Sequence, residues 1–314
     1  MRRRVFSACM LFSLLLASCE SASRGSSSAS QYRFRPYEGT ISPGEWNRSL
    51  EFEFSAEGAT VRVPVQIYFP RQYVRGNAAR TLIGLHSYAG SMSDWEKKTP
   101  VTEYAERFNF VVVCPQTPGT LFEMKYYPET TMKWGPIPGG RWVGEVLIPY
   151  LRQSLNLATD RKKTGIFGHS WAARGAVLVA STYPQFFGAA AGLSGNYDML
   201  ANNRSKRFAM VYGDYNSFTE RWNSDDNLIR LAENLKDIPL FLAHGEYDND
   251  VHHDQTRMFA MRMIQLRNRA REKGPDSASY RFELMLRKQE FHDWSFWRTA
   301  TRSMMPFFNQ YLER

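Results

Sequence analysis

Six short apolar runs, at residues 81–85, 110–114, 164–167, 188–193, 239–243 and 281–286, recur along the chain with longer helix-patterned stretches between them. A strand covered on both faces needs no polar alternation, and parallel strands need a crossover, usually helical, to return the chain to the same end of the sheet. This rhythm predicts an α/β fold with a mostly parallel central sheet and helices on both faces. Helices are expected at 144–155, 171–183, 253–271 and 297–311. Upstream, Val61, Val63, Val65 and Ile67 alternate with Arg62, Pro64, Gln66 and Tyr68, the period of a strand with one buried face, and residues 50–55 are its expected hairpin partner. With 43% apolar residues the 314-residue chain can build a full core, and no repeat divides it. One domain over residues 46–314 is expected.

The first residues read differently. Arg2, Arg3 and Arg4 precede an apolar stretch, residues 5–17, that is too short to span a bilayer and has the layout of an export signal. Leu16-Ala17-Ser18-Cys19 resembles the lipobox of bacterial lipoproteins, which implies a signal peptide over 1–18 and a lipidated Cys19 as the new N-terminus. Residues 19–45 then form a lipidated cysteine and flexible tether, with a Ser-, Ala- and Gly-rich start that cannot bury enough surface to fold. The expected location is outside the cytoplasm, anchored to a membrane and facing the periplasm or cell exterior. Cys9 leaves with the signal and Cys19 carries lipid, so Cys114 remains as a single thiol with no intrachain disulfide to make. Removing residues 1–18 takes away three arginines and no acid, lowering the formal charge from +9 to +6. The positive residues are scattered, which argues for a solvated face over a nucleic-acid site.

Chemistry concentrates in three places. Residues 164–176 read as strand, sharp turn and helix around Gly168-His169-Ser170-Trp171-Ala172. A serine hydroxyl is a poor nucleophile until a base takes its proton, and a tight strand-to-helix elbow exposes it to one. The strand and helix nearly touch there, so small residues, here Gly168 and Ala172, are needed on either side. An acid and a histidine follow in the α/β-hydrolase order, each in a loop after an expected strand. Asp248 lies 78 residues after Ser170, and His292 lies 44 after Asp248. Asp250, in the same loop as Asp248, is the competing acid.

These segments together resemble the putative-esterase family of α/β-hydrolases, which includes esterase D, S-formylglutathione hydrolases, feruloyl esterases and mycolyltransferases. Gly168-His169-Ser170-Trp171-Ala172-Ala173-Arg174-Gly175-Ala176 is similar to its nucleophile elbow, and Leu85-His86-Ser87-Tyr88-Ala89-Gly90 to its L-H-G-x-x-G loop. Gly245-Glu246-Tyr247-Asp248 is similar to its acid-bearing segment, which favours Asp248 over Asp250, and His292-Asp293-Trp294-Ser295-Phe296-Trp297 to its H-x-W-x-x-W ending. Trp171, Ala172 and Ser87 depart from the family pattern without removing a reacting group. The resemblance implies a serine esterase with Ser170 as nucleophile, His292 as base and Asp248 as orienting acid. Backbone N–H groups of Tyr88 and Trp171 would form the oxyanion hole. A small-molecule ester is the implied substrate, on an acylated saccharide among other options, and no cofactor is implied. An acyltransferase with the same triad, or a non-catalytic surface-binding lipoprotein, are the alternatives.

Residues 116–140 form a connection long enough to be a lid or binding loop, and Trp134, Trp142, Tyr126 and Tyr127 in or beside it supply either an aromatic wall for substrate or its own core. With Trp294, Trp134 and Trp142 are the candidate substrate contacts. His252, His253 and Asp254 are not expected to bind metal, because adjacent histidines should point apart and no H-E-x-x-H or cysteine cluster accompanies them.

Overall fold

The computed structural model describes residues 32–56, 59–274 and 280–314; the expected signal, Cys19 and the start of the tether lie outside the described residues. Eight strands run β1 (Trp46–Ala56), β2 (Ala59–Tyr68), β3 (Arg80–Leu85), β4 (Phe110–Pro115), β5 (Thr164–His169), β6 (Ala189–Leu193), β7 (Leu240–Gly245) and β8 (Phe282–Arg287). They form one sheet in the order β1-β2-β4-β3-β5-β6-β7-β8. The β1–β2 and β2–β4 pairs are antiparallel, and all pairs from β4 to β8 are parallel. Each apolar run seen in the sequence is a strand.

The helices are α1 (Asp94–Lys98), α2 (Val101–Phe108), α3 (Gly139–Trp142), α4 (Ile148–Leu155), α5 (Trp171–Thr182), α6 (Lys206–Tyr212), α7 (Thr219–Ser224), α8 (Leu228–Leu231), α9 (Asp254–Glu272) and α10 (Trp294–Tyr311). Successive strand side chains point to opposite faces, and both faces are covered. Ile83, Val111, Ile166 and Leu242 enter one core with α4, α5, α8 and α9, whereas Leu82, Val112, Phe167 and Phe241 enter the other with α1, α2 and α10. Complete burial of a side chain such as Phe167 contributes on the order of 2 kcal/mol. Cys114 lies in the second core, where burial pushes its thiol pKa up and leaves it a packing group. No helix among the described residues is long and apolar enough to cross a membrane.

Four expectations need correction. Packing begins before residue 46: Tyr32 is in the first core, the Phe34 N–H donates to Gln153 Oε1, and Tyr37 N–H donates to Ser154 O at 2.9 Å. The aromatic residues after the Ser-rich stretch can bury surface, so the tether expected over 19–45 does not extend through the residues from Tyr32 onward. Helix α10 starts at Trp294, three residues early, because the Asp293 side chain accepts from Phe296 N–H and caps it. The helix expected at 144–155 starts at Gly139 and passes through a π-helical stretch, Val143–Leu147, between α3 and α4. The 116–140 connection folds inward rather than over a cavity as a lid: Leu121, Phe122 and Glu123 are buried, and Thr131 and Met132 N–H both donate to Met210 O. With α6 and α7 it builds a third, smaller core around Leu121, Tyr127, Phe208 and Trp222.

Candidate active site

The C-terminal ends of β3, β5, β7 and β8 lead into one region of the molecule. At the end of β5, Ser170 adopts φ 55° and ψ −126°, a conformation that costs a non-glycine residue about 1–3 kcal/mol. Its N–H donates to Leu193 O at 2.8 Å, and α5 starts at the next residue. The crowding inferred from the small residues is real: a Cβ on Gly168 would stand 2.2 Å from Ala172 O.

His292 occupies the loop between β8 and α10, held just ahead of the helix by the Asp293 cap. Its Nε2 is 2.8 Å from Ser170 Oγ and its Nδ1 is 2.6 Å from Asp248 Oδ2. The acid loop and the histidine loop are fastened together, since Glu246 N–H donates to Arg287 O and Tyr247 N–H to Glu290 O. Gly245 permits this approach, because a Cβ there would lie 2.3 Å from Glu290 O. Ser170, Asp248 and His292, from the segments that follow β5, β7 and β8, thus form one hydrogen-bonded chain.

Asp248 is buried, yet its carboxylate is fully supplied with donors. Oδ1 accepts from the N–H groups of Asp250 at 3.0 Å and Val251 at 2.8 Å, and His244 Nε2 stands 3.1 Å from Oδ2. Burial alone would raise its pKa; the bonds from His244, His292 and Val251 outweigh that and hold the carboxyl well below the ordinary range. The competing acid, Asp250, gives this network its backbone N–H rather than its side chain. His244 was missed in the sequence; its ring bridges Thr256 Oγ1 at 2.7 Å and Val251 O at 2.8 Å, and its position four residues before Asp248 was the available signal.

A cavity of about 930 Å³ opens at Ser170, and its walls include Tyr88, Trp171, Asn196, Asn202, Arg204, Arg207, Trp294 and Trp297. Tyr88 sits in a loop fixed by His86, whose Nδ1–H donates to Ser87 O at 2.8 Å while Nε2 accepts from Thr117 N–H at 2.8 Å. Burial lowers the His86 pKa, in keeping with that neutral, two-sided role. Beside Ser170, His169 packs its ring against Trp297 at 4.2 Å and Trp294 at 4.4 Å, and burial drives its pKa well below the ordinary value.

Of the three tryptophans expected at the substrate, Trp294 borders the cavity and the other two do not. Trp142 is completely buried in the first core, with Trp134 packed edge-on against it at 5.2 Å, because the loop they belong to turns inward. Tyr126 likewise bonds within that loop, to Ile137 O, and Tyr127 bonds Asp225 at the end of α7. His252 and His253 do not point apart as expected: their rings stack at 4.5 Å, and the ligand atoms of His252, His253 and Asp254 all lie within 4.8 Å of one another. They are not among the cavity-lining residues.

The model of a family described as putative esterase matches residues 58–308. No curated protein sequence matches the chain. Several solved structures share its fold. An S-formylglutathione hydrolase from Agrobacterium tumefaciens aligns with a TM-score of 0.65 at 16% identity, covering 86% of this chain and 99% of its own. A fluorophosphonate-binding serine hydrolase from Staphylococcus aureus gives 0.64 at 15% over 85% and 99%. A ferulic acid esterase gives 0.62 at 15% over 84% and 98%.

Proposed function

Because the chain belongs to the putative-esterase family and is a carboxylic ester hydrolase, we propose that it works by a serine acyl-enzyme mechanism, with Ser170 as nucleophile, His292 as general base and Asp248 as the orienting acid. The observation that carries this reading is the hydrogen-bonded chain from Ser170 Oγ through His292 to Asp248, opening on a cavity large enough for a small ester. Ser170 Oγ attacks the ester carbonyl as His292 Nε2 takes its proton, and the proton then goes to the departing alcohol. Asp248 accepts the Nδ1–H, fixes the tautomer that leaves Nε2 free, and stabilises the imidazolium. Water, deprotonated by the same histidine, releases the acid and restores the serine.

The oxyanion of each tetrahedral intermediate is received by the backbone N–H groups of Tyr88 and Trp171, which belong to two walls of the cavity. One such donor contributes on the order of 3 kcal/mol to the barrier. The hydrogen-bonding side chains Asn196 and Asn202, which line the cavity together with Trp294, suit an ester borne on a polar molecule such as an acylated saccharide.

Ser170→Ala is expected to stay folded and to lose turnover of p-nitrophenyl acetate by on the order of 10⁴-fold or more. Near-parental hydrolysis by that variant would remove Ser170 from the mechanism. Export and lipid attachment at Cys19 complete the proposal and rest on the lipobox sequence. Cys19→Ala should move the protein from the membrane to the soluble fraction, and retention on the membrane would mean a different anchor.

A further inference from the structure

We infer that the ester taken by this cavity carries an anionic group, received by Arg207 with Arg204 beside it. The inference rests on the reading of Ser170 as nucleophile and adds a substrate class to it. Three cations line the cavity, Lys98, Arg204 and Arg207, together with the carboxylates Asp94 and Asp250. Lys98 is already neutralised, with Nζ 2.9 Å from Asp94 Oδ1 and 4.7 Å from the centre of the Trp294 ring. Arg204 and Arg207 are exposed side chains with no carboxylate of the described residues in ion-pair range. Elsewhere Arg48, Arg141, Arg221, Arg257 and Arg262 each sit on a carboxylate. Asp250, the remaining acid of the lining, belongs to the loop after β7 rather than to the segment that bears the arginines.

Arg207 is also held in place. Its guanidinium lies 5.1 Å from the centre of the Tyr88 ring and 5.9 Å from that of Trp171. Those are the two residues whose backbone N–H groups are assigned to the oxyanion, so the guanidinium packs on side chains of the two segments that would receive the reacting carbonyl. Stacking on aromatic faces restrains a guanidinium while leaving its N–H groups free to bond. A forked donor of this kind matches the paired oxygens of a carboxylate, sulfate or phosphate. In a partly enclosed site such charges act more strongly than on open surface, and they raise the local concentration of an anionic substrate.

Two matched pairs of esters test this on the intact chain. For the acyl side, 4-nitrophenyl hemiglutarate is compared with 4-nitrophenyl valerate; for the alcohol side, 4-acetoxybenzoate is compared with 4-acetoxybenzamide. In at least one pair the anionic member should have kcat/KM about tenfold above its neutral partner, carried mainly by KM and falling at about 0.5 M NaCl. The Arg204→Gln, Arg207→Gln double variant should bring that ratio to near one, with Arg207→Lys intermediate, because a point charge keeps the attraction and loses the fork. Ratios at or below one in both pairs for the parent, or a high ratio unchanged in a double variant of parental melting temperature, would overturn the inference. If none of the four esters is turned over, or if Ser170→Ala turns them over as the parent does, the esterase reading has failed instead.

Discussion

Asp248 and Asp226 are both buried carboxylates in polar clusters, and their environments push their protons in opposite directions. Asp248 has donors on both oxygens, from two backbone N–H groups and His292 with His244 close by, and its pKa falls. Asp226 is completely buried, and burial pushes its pKa up despite the attraction of Arg174. Its Oδ2 accepts from Tyr212 Oη at 2.6 Å and Met124 N–H at 3.0 Å, while its Oδ1 has no hydrogen-bond partner. Arg174, also completely buried, gives its N–H groups to Leu121 O, Asp226 O and Tyr212 Oη rather than to the carboxylate. Burial is common to both sites; the supply of donors decides which form of the acid is stable. The first cluster holds a charge against the His292 ring. The second ties the inward-folded 116–138 segment to α5 and α6, and it is scaffolding.

The sharpest way to break that division is Asp248→Asn. It should lower kcat by about 10³- to 10⁴-fold with a much smaller change in KM, since the amide no longer fixes the His292 tautomer. Asp250→Asn should do far less, because Asp250 contributes its backbone N–H to the network. If steady-state kinetics showed Asp250→Asn to be the crippled variant, the acid would have to be reassigned.

Arg174→Met probes the other cluster. It strands Asp226 and three buried acceptors, so urea unfolding should show a loss of about 3–5 kcal/mol, while the folded fraction keeps a near-parental kcat. A large loss of kcat with unchanged stability would mean that the cluster serves the reaction.

The smallest effect is in pH dependence, and its sign differs between the two acids. The folded pKa of Asp248 is depressed, so its stabilisation is complete above the unfolded value of about 3.9 and is lost as pH falls toward the folded one. Unfolding midpoints between about pH 6 and pH 3 should therefore fall less steeply in Asp248→Asn than in the parent. The folded pKa of Asp226 is raised, so its ionised form costs stability at neutral pH and the cost fades as pH drops. Asp226→Asn should accordingly be neutral or slightly stabilising at pH 7. A parallel response of the two variants would erase the contrast.

Much of the fold and of the site could be read before the structure, for local reasons. Apolar runs at strand length mark each strand of the parallel sheet: β3 to β7 are buried throughout, which leaves that trace in any context, and the half-exposed edge strand β8 carries a run of its own. Ser170 sits in an elbow whose small neighbours are demanded by contacts within five residues, as Gly168 against Ala172 illustrates. His292 and Asp248 were found by order and by position after a strand. Other residues leave no such trace. Arg174 stands inside the elbow motif without any local sign that it is buried, and Trp142 looks the same in sequence whether its loop turns toward the cavity or toward the core.

The sequence by itself therefore determined the strands, the elbow and the order of Ser170, Asp248 and His292 along the chain, because strands and elbow depend on the periodicity of burial and on contacts between near neighbours, and order is read directly. Only the tertiary structure decided that the 116–138 segment packs inward and that residues from Tyr32 onward join the core. It also decided that Arg204 and Arg207 stand on the wall of the cavity without a carboxylate partner among the described residues. Each of these turns on which distant groups supply or withhold a hydrogen bond or a packing surface. That is a property of the folded arrangement, to which the separate segments carry no local clue.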